Sequence, residues 1–327
     1  MYESHFGLRR RPFRPMPDSD CYYPATTHEH ALEQVLQALR HDEGHILLTA
    51  EPGLGKTLLA HCLLERLGPQ TTSAFVTNSH LSDRTSLLQV IMYELALPYD
   101  GRSEQDMRLA LTDYLLENFK AGRRALLVVD EAHHLSVDLL EELRLLGNLE
   151  ARTGKALQVV LLAQPAVFHT LVQPELTALR QRLAIKTTLE PLGCDEAADY
   201  LVHHLRGAGG RVEDVIADEA LTLLAQQTHG VPRLLNQAAH QALLLTHSVG
   251  APQVDAEAAV EALRVLGLGQ EEAEVELEAA APTLAGHTFD VNRLLDDDES
   301  EAAVHPLNVH PEPEPPRRRV APPRRPA

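Results

Sequence analysis

The 327-residue chain is expected to fold as an α/β unit with a central parallel five-stranded sheet, a small all-helical domain and a disordered C-terminal tail. Three observations carry that expectation. Short apolar runs alternate with amphipathic segments as far as residue 190. Strand signals then stop, while helical periodicity continues to about Leu266. Past Leu268 the composition turns acidic and then Pro/Arg-rich, which suits a segment without a core. The expected boundaries are an extended N-terminal segment at 1–27, the α/β domain at 28–190, the helical domain at 191–267 and the tail at 268–327.

Residues 1–27 mix Phe6, Phe13, Tyr22 and Tyr23 with Pro12, Pro15, Pro17 and Pro24, which reads as an extended segment laid over a surface. A helix follows from about His28 to Leu39, with Ala31, Leu32, Val35, Leu36 and Leu39 on one face and Thr26 or Thr27 suited to the N-cap. The apolar run His45–Leu48 then leads into TAEPGLGKTLL, Thr49 to Leu59. Strand, glycine-bearing turn and helix form the context of a phosphate-binding loop. Gly53 and Gly55 let consecutive N–H groups turn inward on an anion, and the following helix adds its unpaired amides and positive dipole end. Residues Glu51, Pro52, Gly53, Leu54, Gly55, Lys56, Thr57 and Leu58 are the candidate nucleotide contacts. Lys56 would reach the β/γ-phosphates and the Thr57 hydroxyl would ligate magnesium. The first glycine of the pattern is replaced by Ala50.

A second strand is expected over Ser73–Thr77, ending at Asn78, then helices at Arg84–Leu95 and Glu104–Lys120. In ALLVVDEAHHL, Ala125 to Leu135, five apolar residues deliver Asp130 and Glu131 to the C-terminal end of a buried strand, the edge where open α/β sheets bind ligands. Asp130 suits the magnesium and Glu131 suits an attacking water. A Leu-rich helix with Leu135, Leu139, Leu143 and Leu146 on one face precedes the strand in Leu157–Pro165, which ends at Gln164. A helix over Ala166 to about Arg180 and a strand over Ala184–Leu189 complete the α/β unit. The helical domain reads as Asp195–Arg206, Asp218–Gln227, Pro232–Leu245 and Asp255–Leu266, punctuated by Gly207, Gly230 and Gly250. In the tail, Phe289–Leu295 has helical apolar spacing, and Arg317–Arg319 and Arg324–Arg325 close the chain.

Composition narrows the function classes. The formal net charge is −18, with −7 beyond Leu268, which does not support DNA as a partner; the cluster Arg9–Arg11 leaves a local anion patch open. Cys21, Cys62 and Cys194 match no disulfide or metal framework, and a reducing cytoplasm is the expected setting. Cys62 reads as a buried small hydrophobe. There is no apolar run long enough for a transmembrane helix, and the N-terminus lacks the apolar stretch of a signal peptide.

Taken together these residues resemble an AAA+ ATPase of the ExeA/GspA (general secretion pathway protein A) type, with TniB-like transposition ATPases as neighbours. The resemblance covers most of residues 1–267. It rests on Tyr2, Phe6-Gly7-Leu8 and Pro12-Phe13, on LRLLGNLEARTGKALQVVLLAQP (Leu143 to Pro165), on ELTALRQRL and LEPL (Glu175–Leu183, Leu189–Leu192), and on GVPRLLN, Gly230 to Asn236. It implies a P-loop NTPase with a helical lid, using ATP and Mg²⁺ and working as a homo-oligomer with a protein partner in secretion or envelope and polysaccharide export. Gln164 matches the sensor-1 position and Arg233 the sensor-2 position. Arg182, with Arg180 as the alternative, matches the arginine-finger region that a neighbouring subunit supplies. Asn78 is placed to hold Glu131 off-line. ExeA-type proteins also carry a transmembrane segment and a peptidoglycan-binding domain, neither of which these residues spell, so only the ATPase engine carries over. A DEAH-box helicase, suggested by Asp130–His133, needs two such cores where this sequence has one. The other reading is a slow DNA-associated nucleotide switch of the TniB type.

Overall fold

In the computed structural model residues 1–268 are described, apart from Pro17, Asn78, Arg152 and Thr153. The expectations for Asn78, Phe289–Leu295 and the tail arginines fall outside the described residues.

Five parallel strands make the sheet: β1 (His45–Thr49), β2 (Thr71–Val76), β3 (Arg124–Val129), β6 (Gln158–Ala163) and β7 (Leu183–Thr188), in the order β2-β3-β6-β1-β7. A short antiparallel hairpin, β4 (Glu150–Ala151) and β5 (Gly154–Lys155), precedes β6. The three central strands are apolar almost throughout because helices cover both faces. Side chains alternate across the pleat. Leu47, Leu127, Val129 and Leu161 meet α3 (Arg84–Glu94), α4 (Glu104–Lys120) and α5 (Val137–Leu146). Ile46, Leu48, Leu126 and Val128 meet α1 (Thr26–Arg40) and α2 (Lys56–Leu67), with Cys62 buried among them. On the first of these faces, the fully buried Glu142 is held bidentately by Arg108, which also binds Glu104 at 3.0 Å.

Two local expectations are corrected. The single helix expected over Ala166–Arg180 is broken into α6 (Val167–Leu171), a 3₁₀ turn at Pro174–Leu176 and α7 (Thr177–Arg180). Pro174 has no N–H to continue the ladder, and it disfavours helical backbone at Gln173. Neither Thr26 nor Thr27 caps α1. Ala25 occupies the cap position with no side-chain bond, and Glu196 supplies the acceptor instead: the backbone N–H and hydroxyl of Thr26 both donate to its Oε1, at 2.7 and 3.0 Å.

The helical unit comprises α8 (Cys194–Gly207), α9 (Val212–Val215), α10 (Asp218–Gln227), α11 (Pro232–Val249) and α12 (Ala256–Val265). Its core contains Leu201, Leu224, Leu235 and Leu263 together with Tyr2, Phe6, Leu8 and Phe13 from the start of the chain. Tyr2 is fully buried, its hydroxyl 2.8 Å from His240 Nδ1, and Arg9 N–H donates to Ala208 O at 2.8 Å. Inside the unit, the segment entering α8 packs tightly on Gly230. That residue has φ 67° and lies so close to Leu192 that a Cβ would fall 1.9 Å from the Leu192 carbonyl oxygen.

Candidate active site

The phosphate-loop backbone follows from its two inner glycines. Gly53 and Gly55 take φ of 91° and 92°, and Gly55 is the residue from which α2 starts at Lys56. Gly53 is favoured twice over. Its Cβ would lie 3.0 Å from Arg233 Cβ and 3.1 Å from Val231 Cγ1, so any side chain here would crowd the approach of the helical unit to the loop. Gly53 O accepts the Arg233 N–H at 3.2 Å. Ala50, at the position of the pattern's first glycine, is wholly buried at the end of β1 with its N–H bonded to Ala163 O; no positive φ is needed there.

Lys56 is buried and donates to the carbonyls of Ala50 (2.7 Å) and Glu51 (3.4 Å). Burial lowers its pKa; the carboxylates of Glu131, Asp130 and Glu51 oppose that shift and Arg233 adds to it. Thr57 Oγ1 donates to Asp130 Oδ2 at 2.5 Å, so the hydroxyl and the carboxylate that suit a magnesium ion already converge. Oxygen donors of this kind are what Mg²⁺ takes, and they leave coordination positions for water and phosphate. Asp130 is itself fixed at every polar atom of its backbone and side chain: its N–H donates to Val76 O, its carbonyl accepts the Ser79 hydroxyl, and its Oδ1 accepts the Glu131 N–H at 2.8 Å.

Glu131 has a left-handed backbone, φ 51° and ψ 37°, uncommon for a residue with a side chain. The turn ends β3 abruptly and leaves the carboxylate bordering the same cleft as the loop, close enough for its charge to act on Lys56. Gln164 Nε2 donates to Glu131 Oε2 at 3.4 Å, and His133 Nδ1 lies 3.4 Å from the same oxygen. Nδ1 also accepts the Gln164 N–H at 3.3 Å. Burial and neighbouring His134 lower the His133 pKa, against the pull of Glu131, so its ring is neutral near pH 7.

These groups open onto a cleft of about 670 Å³ between the phosphate loop, the N-terminal segment and the helical unit. Pro52 to Leu58, Glu131, Gln164 and Arg233 border it; Glu51 contributes its carbonyl to Lys56, and Asp130 acts through Thr57. Arg180 and Arg182 do not border it. Arg182 precedes β7, and its carbonyl accepts the His45 N–H, so it sits where β1 begins, while the phosphate loop follows where β1 ends. A five-residue strand separates those ends by roughly 16 Å.

Two contributors were not singled out by sequence reasoning. His28 is buried in the first turn of α1 and its Nε2 donates to Leu54 O at 2.7 Å, pinning the loop from below; burial lowers its pKa against that bond. The signal was there, since His28 lies one turn before Ala31 and Leu32 on the same apolar face. Glu196 carried no such signal, because its partner at Thr26 is 170 residues away.

The AAA domain family matches residues 39–171. General secretion pathway protein A of Aeromonas hydrophila is 38% identical over 255 residues, covering 78% of this chain and 46% of that protein. Holliday junction branch migration complex subunit RuvB of Kosmotoga olearia is 25% identical over 69% of this chain and 59% of its own length. The chain thus spans about half the length of these curated relatives. Among solved structures, the ORC2 protein of Aeropyrum pernix in ADPNP and ADP complexes aligns with a TM-score of 0.61 at 18% identity, over 83% of this chain and 75% of that one. That likeness speaks for the fold.

Proposed function

The chain carries an AAA domain of the kind found in general secretion pathway protein A, and from that premise we propose that it hydrolyses ATP with Mg²⁺ and passes its nucleotide state to a neighbouring copy and to a partner protein in secretion or envelope export. The observation that carries this reading is the convergence of Thr57 Oγ1 on Asp130 Oδ2, beside a Glu131 carboxylate that borders the same cleft as the loop.

Thr57 and Asp130 would hold the magnesium ion, which when bound offsets phosphate charge. The amides of the loop and of the start of α2 bind the phosphates, and Lys56 moves from the Ala50 and Glu51 carbonyls onto the β/γ oxygens. Glu131 orients the attacking water and takes up its proton as the bond from water to the γ-phosphorus forms in line and the bond from that phosphorus to the departing ADP oxygen breaks. Gln164, at the sensor-1 position, is hydrogen-bonded to Glu131 and steadies that carboxylate. Arg233 brings positive charge to the phosphates from the helical unit. Its backbone bond to Gly53 makes the position of that unit sensitive to the filling of the loop. Arg182 or Arg180 would serve the site of a neighbouring copy, since each lies at the sheet end away from its own loop.

The test is steady-state phosphate release from Mg-ATP by wild type and Glu131→Gln, with and without DNA. Turnover should fall at least ~100-fold in the variant while nucleotide affinity stays within about threefold. Undiminished turnover in Glu131→Gln would overturn its role. Turnover that depended on DNA would move the partner from the export machinery to nucleic acid.

A further inference from the structure

The turn after β3 carries more than the hydrolytic carboxylate. Glu131, His133 and His134 each present a ligand atom, and these atoms lie within 4.8 Å of one another. The rings of His133 and His134 are 4.0 Å apart, and His80 packs against His134 at 4.2 Å from the other side. The geometry points to a binding site for a transition-metal dication of the zinc class on Glu131, His133 and His134, one that withdraws Glu131 from hydrolysis when filled. It rests on the reading of Glu131 given above only for that inhibitory consequence.

The donor set is the first argument. Two imidazoles and a carboxylate suit Zn²⁺ and its neighbours, and leave a fourth position for water. Mg²⁺ takes oxygen ligands and has the Thr57–Asp130 pair, so the two ions do not compete for donors. Spacing is the second. Two donors bound to one tetrahedral zinc at about 2.0–2.1 Å each stand about 3.3 Å apart. His133 Nδ1 and Glu131 Oε2 are 3.4 Å apart, longer than a good hydrogen bond and close to that edge. Only His134, which is exposed, has to turn inward. The electrostatic surroundings are mixed, with Asp130 favouring a cation and Lys56 opposing one. Binding also takes Nδ1 from the Gln164 N–H, a long bond at 3.3 Å. The third argument is the backbone: the left-handed Glu131 and the 3₁₀ turn Ala132–His134 present all three side chains from four consecutive residues.

The proposal is tested with the full chain in excess Mg²⁺, titrated with Co²⁺ as a visible surrogate and with Zn²⁺ by calorimetry. The expected result is ligand-field absorption saturating at one ion per chain, with uptake weakened at least ~10-fold by His134→Ala and by His133→Gln. In phosphate-release assays micromolar Zn²⁺ should lower wild-type turnover, and the ratio of rates with and without Zn²⁺ should return toward unity in His134→Ala. His134 is exposed, so that variant keeps its fold, and thermal unfolding checks it. Absence of Co²⁺ uptake, or uptake unchanged in both variants, overturns the site. Uptake lost in both variants without inhibition of wild type keeps the site and removes its hold on Glu131, which distinguishes this failure from failure of the ATPase reading.

Discussion

The α/β unit buries its central strands between two helical layers drawn almost wholly from residues 26–189, whereas the helical unit completes its core with Tyr2, Phe6, Leu8 and Phe13 from the far end of the chain. One core is closed by neighbouring sequence and the other by a strap crossing roughly 190 residues of intervening chain. The cleft lies along the seam, which carries the hydrogen bonds of Arg233 N–H to Gly53 O and of Thr26 to Glu196 and where Val231 packs against the α/β core. A seam held by such local contacts can shift without disturbing either core. Movement of one unit against the other is cheap only if the two cores hold together separately.

Truncating a strap aromatic is the largest way to break that claim. Phe6→Ala should cost about 3–5 kcal/mol in the helical unit. Hydrogen exchange is expected to accelerate in α8, α10 and α11 while β1, β3 and β6 keep their protection. Leu127→Ala, in the middle of the sheet, should give the reverse pattern at about 2–5 kcal/mol. If both variants accelerated exchange uniformly, the cores would form one cooperative unit and the contrast would fall.

The seam itself is next. Lys56→Ala removes the buried cation that faces three carboxylates, and nucleotide affinity should drop at least 100-fold, about 2.7 kcal/mol, by fluorescent-nucleotide titration. Both cores should stay folded, because the Lys56 ammonium donates its hydrogen bonds to the carbonyls of Ala50 and Glu51 rather than into either core. Retained affinity would take the phosphates away from this loop.

Acid sharpens the comparison further, because each core holds a neutral histidine. His45, at the start of β1, is 2% exposed; its pKa falls to about 4 through burial, partly opposed by the Leu143 carbonyl, with the cations of Lys155, Arg182 and Arg144 adding to the fall. His204 of α8 is also lowered to about 4, again mainly by burial, but its rim is open. A depressed histidine pKa means that the unfolded chain binds the extra proton first. Stability is therefore fully present above pH 6.5 and is lost as pH falls from there toward 4. We expect a loss on the order of 2 kcal/mol from His45 across that window, and less from His204. His45→Gln should flatten the slope for the sheet in urea melts at stepped pH. An unchanged slope would show that His45 titrates normally.

How much of this was legible in the sequence depended on range. The loop, the Asp130–Glu131 edge and all five strands were readable because glycine spacing and apolar runs report local backbone and burial. The break at Pro174 was also written there, but the apolar periodicity on either side outweighed it. What could not be read was pairing over distance. Gln164 reaching Glu131, His28 beneath Leu54 and Glu196 at Thr26 depend on where the sheet and the helical unit bring their ends. The crowding of Gly53 by Val231 likewise exists only once the two units meet.

The smallest expected effect tests the seam most directly. Glu196 accepts two hydrogen bonds from Thr26 at the unsatisfied start of α1, where a carboxylate also suits the helix dipole. Removing such a cap costs about 1 kcal/mol, and Glu196→Ala should lower stability by that amount. A cap worth only its local energy would stop there. Because α1 also carries His28, whose Nε2 holds Leu54 O, slack at the start of α1 passes to the phosphate loop. We therefore expect nucleotide affinity to fall about two- to threefold, less than 1 kcal/mol, and Glu196→Gln to restore part of it through its remaining carbonyl acceptor. Affinity unchanged in Glu196→Ala, with the full stability loss, would confine the contact to holding the units together and leave the loop to His28 alone.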